Sequence, residues 1–132
     1  SKAIRLALTD LEKKEKYINL LNERLCLHFK SYPDILINKT KYSIPHILNI
    51  SLDGIKPETF IHAMEEYEIY IGTNTACSSG KISTAVFNLY HDKTRALTTI
   101  RISLSYLTTS EEVTEFLRVF DSVYEKLSSL ND

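Results

Sequence analysis

The sequence has few glycines and cysteines, and each shortage excludes a class of protein. Among its 132 residues are only three glycines, all isolated, so it contains neither a Gly-x-Gly-x-x-Gly turn nor a Gly-Lys-Ser/Thr phosphate loop. Its two cysteines, Cys26 and Cys77, show no Cys-x-x-Cys or Cys/His spacing. Neither a zinc site nor a disulfide framework is therefore indicated, and this cysteine usage fits a reducing cytoplasm.

The chain also lacks a surplus of charge and a long apolar run. Its 16 basic residues balance 17 acidic ones, which gives no attraction to a nucleic-acid backbone. No apolar run approaches the roughly 18 residues of a membrane span. With 43% hydrophobic and 25% charged residues, residues 1–132 are expected to form one soluble domain. Because the chain starts at Ser1 and enters a helical pattern at once, we expect a fragment of a longer protein.

Hydrophobic spacing predicts a long helix at each end of the chain. At the start, one face is apolar: Ile4, Leu8, Leu11, Ile18, Leu21, Leu25 and Phe29. Near the end, Thr109 and Glu112 form a capping-box pattern. One face of the helix that follows is also apolar: Val113, Phe116, Leu117, Phe120, Val123, Tyr124 and Leu127. Cys26 lies on the apolar side of the first helix, so it is expected in the core.

Strands and a further helix are predicted between these two. Residues 44–52 alternate, with His46, Leu48, Ile50 and Leu52 on one side and Ile47, Asn49 and Ser51 on the other. A helix is predicted to begin at Pro57. A short strand at residues 70–71 and a short helix around residues 86–90 follow. The predicted fold class is α+β, a small and mainly antiparallel sheet packed against helices.

The candidate site combines a cysteine in a polar loop with an arginine on a strand. Residues 73–80 read Thr-Asn-Thr-Ala-Cys-Ser-Ser-Gly, and the small neighbours leave the Cys77 thiol open to a substrate. Arg101 alternates with Ile100 and Ile102, which predicts that it shares the polar face of a strand with Ser103. A thiolate is a nucleophile, and a guanidinium binds a carboxylate through two parallel hydrogen bonds. The pair therefore predicts a nucleophile and a carboxylate clamp.

Four segments, in order, resemble the C-terminal small domain of cysteine desulfurases, which are pyridoxal-phosphate enzymes of the class V aminotransferase family. They are Pro-His-Ile-Leu-Asn-Ile-Ser at residues 45–51, Thr-Ala-Cys-Ser-Ser-Gly at 75–80, Ile-Arg-Ile-Ser-Leu at 100–104 and Thr-Thr-Ser-Glu-Glu at 108–112. The resemblance implies that Cys77 carries substrate sulfur as a persulfide and that Arg101 binds the substrate carboxylate. It also assigns six residues to a mobile active-site loop: Asn74, Thr75, Ala76, Ser78, Ser79 and Gly80.

The same resemblance implies the reaction and its partners. The full-length enzyme would be a homodimer that converts L-cysteine to L-alanine. It would pass sulfur to a scaffold or carrier protein for iron–sulfur clusters or tRNA thiolation. In this family the cofactor lysine and the phosphate-binding residues belong to a large domain that would precede Ser1. The 132-residue chain alone is therefore expected to bind no pyridoxal phosphate and to be inactive.

Two other interpretations remain open at the level of sequence. One is another class V enzyme, such as a selenocysteine lyase or an aminotransferase, although a plain aminotransferase needs no thiol. The other is a non-enzymatic sulfur carrier or scaffold-binding module that kept the cysteine loop without a cofactor domain. A lysine-bearing domain encoded before Ser1 would favour an enzyme, and a start codon at that point would favour the module.

Overall fold

The computed structural model describes residues 2–39, 44–66, 76–78, 86 and 90–129, with side chains from residue 9 onward except at 76–78. Eight helices and strands have their bounds within these ranges. The helices are α1 (Lys2–Lys30), α2 (Pro57–Glu65), α3 (Lys93–Leu97) and α4 (Ser110–Ser129). The strands are β1 (Ile35–Asn38), β2 (Ile47–Leu52), β3 (Ala76–Ser78) and β4 (Thr99–Ser103).

The four strands form one antiparallel sheet in the order β1-β2-β4-β3. Thus β2 and β4, which are far apart in sequence, are neighbours at its centre. The predicted α+β class is confirmed, with a long helix at the start of the chain and an antiparallel sheet. Residues that lie directly opposite each other in antiparallel strands share a face, so the register determines which side chains meet.

One face of the sheet belongs to the hydrophobic core. Its buried strand residues are Ile35, Leu48, Ile50, Leu52, Ile100 and Ile102. Aromatic rings from three helices pack together over this face. The ring centroid of Phe120 in α4 lies 4.7 Å from that of Phe29 in α1 and 5.0 Å from that of Phe60 in α2. Such pairs add about 0.5–1.5 kcal/mol each beyond the burial of their area. The opposite face carries the polar residues Asn38, Asn49, Ser51 and Arg101, together with the exposed Leu36 and Ile47.

The two long helices largely follow the sequence prediction. The capping box is present, because the Thr109 N–H donates to Glu112 Oε1 and the Glu112 N–H donates to Thr109 Oγ1, both at 3.0 Å. Cys26 is buried as expected. Leu11 was expected on the apolar face of α1, but 57% of its surface is exposed. Among the side chains described from residue 9 onward, the first buried residue on this face is Ile18, so the core packs against the later turns of this part of α1.

A shared carboxylate links α1 to α4. Asp121 Oδ1 accepts hydrogen bonds from His28 Nε2 at 2.7 Å and from the Tyr32 hydroxyl at 2.5 Å. Burial, followed by the hydrogen bond to Asp121, raises the pKa of Tyr32 well above its ordinary value of 10.0. His28 is half-buried and bonded to Asp121 across the helix interface.

Three elements differ from the sequence prediction. Strand β1 was not predicted from the sequence, because its short apolar run shows no alternation that would distinguish a strand from other structures. The five residues of α3 are likewise too few for helical periodicity, although Asp92 caps them by accepting from the Arg95 N–H. Finally, Ala76–Ser78 form a strand where a loop was expected. Pairing with β4 satisfies backbone groups that an unpaired edge would leave open.

The remaining local predictions concern the segment between α2 and α3. The strand expected at residues 70–71 lies outside the described residues. Within the helix expected around residues 86–90, Val86 and Tyr90 have helical backbone, and residues 87–89 lie outside the described part. The helix predicted from Pro57 is confirmed as α2, with Pro57 in its first turn.

Candidate functional site

Arg101 occupies the third position of β4 and is exposed. Its neighbours Ile100 and Ile102 are buried, as the alternation predicts, so the arginine side chain lies on the face of the sheet away from the core. Within the described part of the chain, Arg101 forms neither a hydrogen bond nor an ion pair. Because a guanidinium carries five N–H donors and no acceptor, this side chain is available to bind an anion.

Cys77 lies on the strand next to Arg101. The register places Cys77 opposite Ile102, and Ser78 opposite Arg101. The backbone places the two predicted site residues on adjacent strands, but the residue directly opposite Cys77 is the buried Ile102 and not Arg101. The side chains of β3 lie outside the described residues, as do the whole of Asn74, Thr75, Ser79 and Gly80. The roles assigned to these residues remain predictions.

The second neighbour of Arg101 is Asn49, which lies directly opposite it on β2. Side chains at opposite positions of antiparallel strands have Cβ atoms about 4.5–5.5 Å apart. Asn49 is half-buried, and its Oδ1 accepts a hydrogen bond from Asn38 Nδ2 at 2.7 Å. An amide therefore stands beside the exposed guanidinium, on the same face of the sheet.

A hydrogen-bond network extends from Asn49 across the sheet to α3. Asn38 Nδ2 also donates to Ser51 Oγ at 2.9 Å, and Asn38 Oδ1 accepts from Arg95 Nε at 2.6 Å. The Ser51 hydroxyl in turn donates to the Arg95 carbonyl at 2.8 Å. Asn38 and Ser51 are both buried. These hydrogen bonds therefore satisfy polar groups whose burial without a partner would destabilise the fold.

Arg95 is held by further contacts. Its Nη2 donates to the Ile37 carbonyl at 3.2 Å, and its guanidinium carbon lies 3.4 Å from the centroid of the Tyr90 ring. Tyr90 is fixed in turn, since its hydroxyl is 3.2 Å from both the backbone N–H and the carbonyl of Lys39. A cation stacked on an aromatic ring is stabilised by the ring's electron-rich face. The network thus ends in an arginine whose position is fixed on several sides.

Sequence reasoning identified Arg101 but gave no function to Asn49, Asn38 or Arg95. The alternation of residues 44–52 places Asn49 on the polar side of its strand, which was a usable signal. Asn38 and Arg95 carried none, because they meet only through β1, β2 and α3, which are distant in the sequence. Their contact depends on strand register, which local spacing does not reveal.

The described residues include no buried lysine of the kind that holds pyridoxal phosphate covalently. A lysine that binds this cofactor covalently must be unprotonated, which burial favours by lowering the lysine pKa. Every lysine whose side chain the structure describes is exposed or only half-buried. No described cluster of His, Cys, Asp and Glu could hold a metal ion. None of the helices in the described ranges is long and apolar enough to cross a membrane.

The family model for aminotransferase class-V matches residues 1–116, which is most of the chain. The chain belongs to the aminotransferase class-V family. The resemblance inferred from the four sequence segments is thereby confirmed. The matched range includes β3, β4 and the start of α4, so both predicted site residues lie within the class-V match.

Relatives within the class-V family are named as cysteine desulfurases or NifS-like proteins. A NifS/IcsS protein homolog of Lactobacillus delbrueckii subsp. bulgaricus is 35% identical over 136 residues, which cover 99% of this chain and 35% of the relative. Cysteine desulfurase IscS of Buchnera aphidicola subsp. Baizongia pistaciae is 27% identical, over 98% of this chain and 32% of the relative. Human cysteine desulfurase is 29% identical, over 84% of this chain and 25% of the relative.

Solved structures agree on the fold of this class-V chain. A NifS-like protein from Rickettsia africae superposes with a TM-score of 0.75 at 23% identity, covering 91% of this chain and 31% of that one. A second NifS-like protein gives a TM-score of 0.70 at 25% identity, covering 96% and 32%. The chain spans about a third of the length of the curated relatives it matches. The similarity therefore concerns a portion of those proteins.

Proposed function

We propose that the chain is the small domain of a pyridoxal-phosphate-dependent cysteine desulfurase. In this proposal Arg101 binds the carboxylate of L-cysteine and Cys77 accepts its sulfur. The observation that carries the proposal is the position of Arg101, which is exposed on a central strand and has no partner among the described residues. The cysteine desulfurase names of the relatives support it.

The strand fixes the direction of the Arg101 side chain. At most 1% of the surface of Ile100 and Ile102 is exposed. Both side chains would have to leave the core for the arginine to move to the other face of the sheet. A guanidinium on such a support binds the two carboxylate oxygens in parallel, which orients the amino acid as well as holding it. Lysine at this position would provide a charge without the two-point geometry.

Sulfur transfer to Cys77 is balanced without an external oxidant. The Cys77 thiolate attacks the substrate sulfur, an S–S bond forms, and the carbon–sulfur bond breaks with its electron pair on carbon. Protonation of that carbon gives L-alanine, while Cys77 becomes a persulfide. The substrate carbon is reduced and its sulfur is oxidised, so L-cysteine and a thiol give L-alanine and a persulfide.

The cofactor and the sulfur acceptor would both lie outside this chain. Pyridoxal phosphate supplies electron withdrawal from the bound amino acid, and its binding site would belong to another part of the whole protein. The acceptor would be a scaffold or carrier protein with a thiol that attacks the Cys77 persulfide. Strand β3 lies at the edge of the described sheet, and an edge position would let an acceptor protein approach Cys77. A homodimer remains part of the proposal for the whole enzyme.

Mass mapping of the persulfide in the whole protein tests this function. After incubation with L-cysteine and pyridoxal phosphate, we expect L-alanine to accumulate and the peptide with Cys77 to gain one sulfur atom. Cys77→Ser should abolish both, whereas Cys26→Ser, which alters a buried cysteine, should retain both. L-alanine formation without sulfur on Cys77 would refute the assigned nucleophile. Turnover of L-selenocysteine but not of L-cysteine would instead indicate a selenocysteine lyase.

A further inference from the structure

We propose that Asn49 is a second donor to the substrate carboxylate, acting beside Arg101. This inference rests on the proposed function and extends it to a residue on a different strand. In the same proposal, Asn38 and Arg95 act as positioning residues, because they determine which end of the Asn49 amide faces Arg101.

Arg95 determines the orientation of the Asn38 amide. A guanidinium can only donate, so the atom of Asn38 that lies 2.6 Å from Arg95 Nε must be the oxygen Oδ1. The reverse orientation would place two donors against each other. Arg95 itself cannot turn away easily, because it also bonds to the Ile37 carbonyl and stacks on Tyr90. The nitrogen Nδ2 of Asn38 therefore faces the other way.

Asn38 then determines the orientation of Asn49. The two hydrogens on Asn38 Nδ2 are directed to Ser51 Oγ at 2.9 Å and to Asn49 at 2.7 Å. The contacting atom of Asn49 must be an acceptor, which is its Oδ1. Asn38 is buried and uses its oxygen and both N–H groups, so it has no alternative arrangement without an unsatisfied group. The fixed arrangement leaves Asn49 Nδ2 as the free end of the amide.

The free end of Asn49 lies beside Arg101. The two residues are directly opposite in the register of β2 and β4, and both lie on the polar face. Asn49 Nδ2 has no hydrogen-bond acceptor among the described residues. An amide nitrogen and a guanidinium at this spacing present donors from two adjacent strands to one anion. A planar carboxylate has two oxygens and can accept from both side chains.

The choice of side chain at position 49 is consistent with a binding role. Aspartate there would form an ion pair with Arg101 and occupy the site from within the protein. A neutral donor leaves the guanidinium unpaired and adds a hydrogen bond to any carboxylate that arrives. Because Arg95 bonds to Asn38 and Asn38 bonds to Asn49, the contribution of Arg95 is to the orientation of the Asn49 amide.

Steady-state kinetics of the whole enzyme with L-cysteine provide the first test. Removal of a hydrogen bond to a charged group by Asn49→Ala should lower kcat/KM about 10- to 100-fold. Asn49→Asp should lower it further, since the new carboxylate competes with the substrate for Arg101. Ser103→Ala is the matched control, because Ser103 lies on the same face of β4 two residues from Arg101, and it should retain normal kinetics.

A binding measurement on the wild type tests the same inference without depending on the folding of Asn49 variants. Titration with L-alanine should shift the side-chain amide resonance of Asn49 in ¹⁵N NMR, and titration with ethylamine, which lacks the carboxylate, should not. An unchanged resonance at saturating L-alanine would overturn the inference. If Asn49→Ala turns over L-cysteine normally while Arg101→Lys is impaired, the inference about Asn49 is overturned and the proposed function stands. No turnover of L-cysteine by the wild type would overturn the proposed function, and this inference with it.

Discussion

Asn49 and Arg101 lie directly opposite each other on the two central strands of the sheet, although they are distant in the sequence. Their shared face carries mainly polar side chains and the exposed Ile47, and the opposite face of both strands packs in the core. The register of β2 and β4 therefore places a neutral donor and a cationic donor side by side. A shift of the register by one residue would move one of them to the core face.

Replacement of Arg101 by lysine should impair catalysis without impairing folding. Arg101→Lys keeps the charge but loses the two-point grip, so kcat/KM for L-cysteine should fall by an amount equivalent to about 1.5–3 kcal/mol. Stability should change little, because Arg101 is exposed and has no partner in the described structure. Arg118→Lys, at an exposed ion pair with Glu115, is the control. Unchanged kinetics in Arg101→Lys would assign Arg101 a structural role.

The two cysteines should differ in their rates of alkylation. Cys26 is 4% exposed and its thiol is 3.4 Å from Asn22 Oδ1, so reagent should reach it only when the core opens. Cys77, among small neighbours, is predicted to react much sooner in the folded chain. Timed alkylation with peptide mass mapping measures both rates, and labelling in denaturant should make them equal. Equal or reversed rates in the folded protein would show that Cys77 is packed.

Loss of the capping box should destabilise the last helix. Thr109→Ala removes the acceptor for the Glu112 N–H, and a cap of this kind contributes about 0.5–2 kcal/mol. The free energy of unfolding, measured in urea, should fall by that amount. Ser122→Ala, an exposed substitution within the same helix, should change it by less than about 0.5 kcal/mol. A smaller loss in Thr109→Ala than in Ser122→Ala would contradict the capping role.

Tyr32 should make the stability of the fold decline in alkaline solution. Its pKa is raised in the folded state, chiefly by burial and then by the bond to Asp121, so above pH 10 the unfolded chain releases a proton that the folded chain retains. The stabilisation is complete below pH 10 and is lost as pH rises through the folded pKa. Burial also raises the pKa of Tyr124, which contributes in the same direction.

Urea unfolding between pH 8 and pH 12 measures this dependence. Tyr32→Phe should flatten the alkaline decline, although Tyr124 should leave part of it, and it should cost roughly 1 kcal/mol at neutral pH through the lost hydrogen bond. Tyr106→Phe is the control, since Tyr106 is exposed, and its profile should match the wild type. An alkaline decline in Tyr32→Phe as steep as that of the wild type would show that Tyr32 does not titrate in this way.

Local patterns were sufficient for the elements that are long or strongly patterned. The capping box of Thr109 and Glu112 and the polar face of Arg101 follow from spacing alone, because each depends on neighbours within a few residues. Leu11 shows the limit of this reasoning. A helical pattern indicates which residues share a face, but it does not indicate where along the helix the rest of the core begins.

The network beside the site depends on contacts between distant segments. Asn38 bonds to Arg95 only because β1 pairs with β2 and α3 packs over their polar face. Nothing near either residue in the sequence signals this contact. Similarly, residues 76–78 have the composition of a loop, and their extended form follows from the unpaired edge that β4 offers. Pairing with a distant strand thus overrides the local preference.

The position of β3 in the sheet has a consequence for local unfolding. Three residues of β3 pair with β4, whereas β4 is also paired along five positions with β2. Detachment of β3 would break only its own ladder and would leave Asn49 and Arg101 on intact strands. Opening energies within a fold range from near zero to the global value. Amide hydrogens of β3 should therefore exchange before those of β2, so the segment that contains Cys77 could detach while Asn49 and Arg101 stay on folded strands.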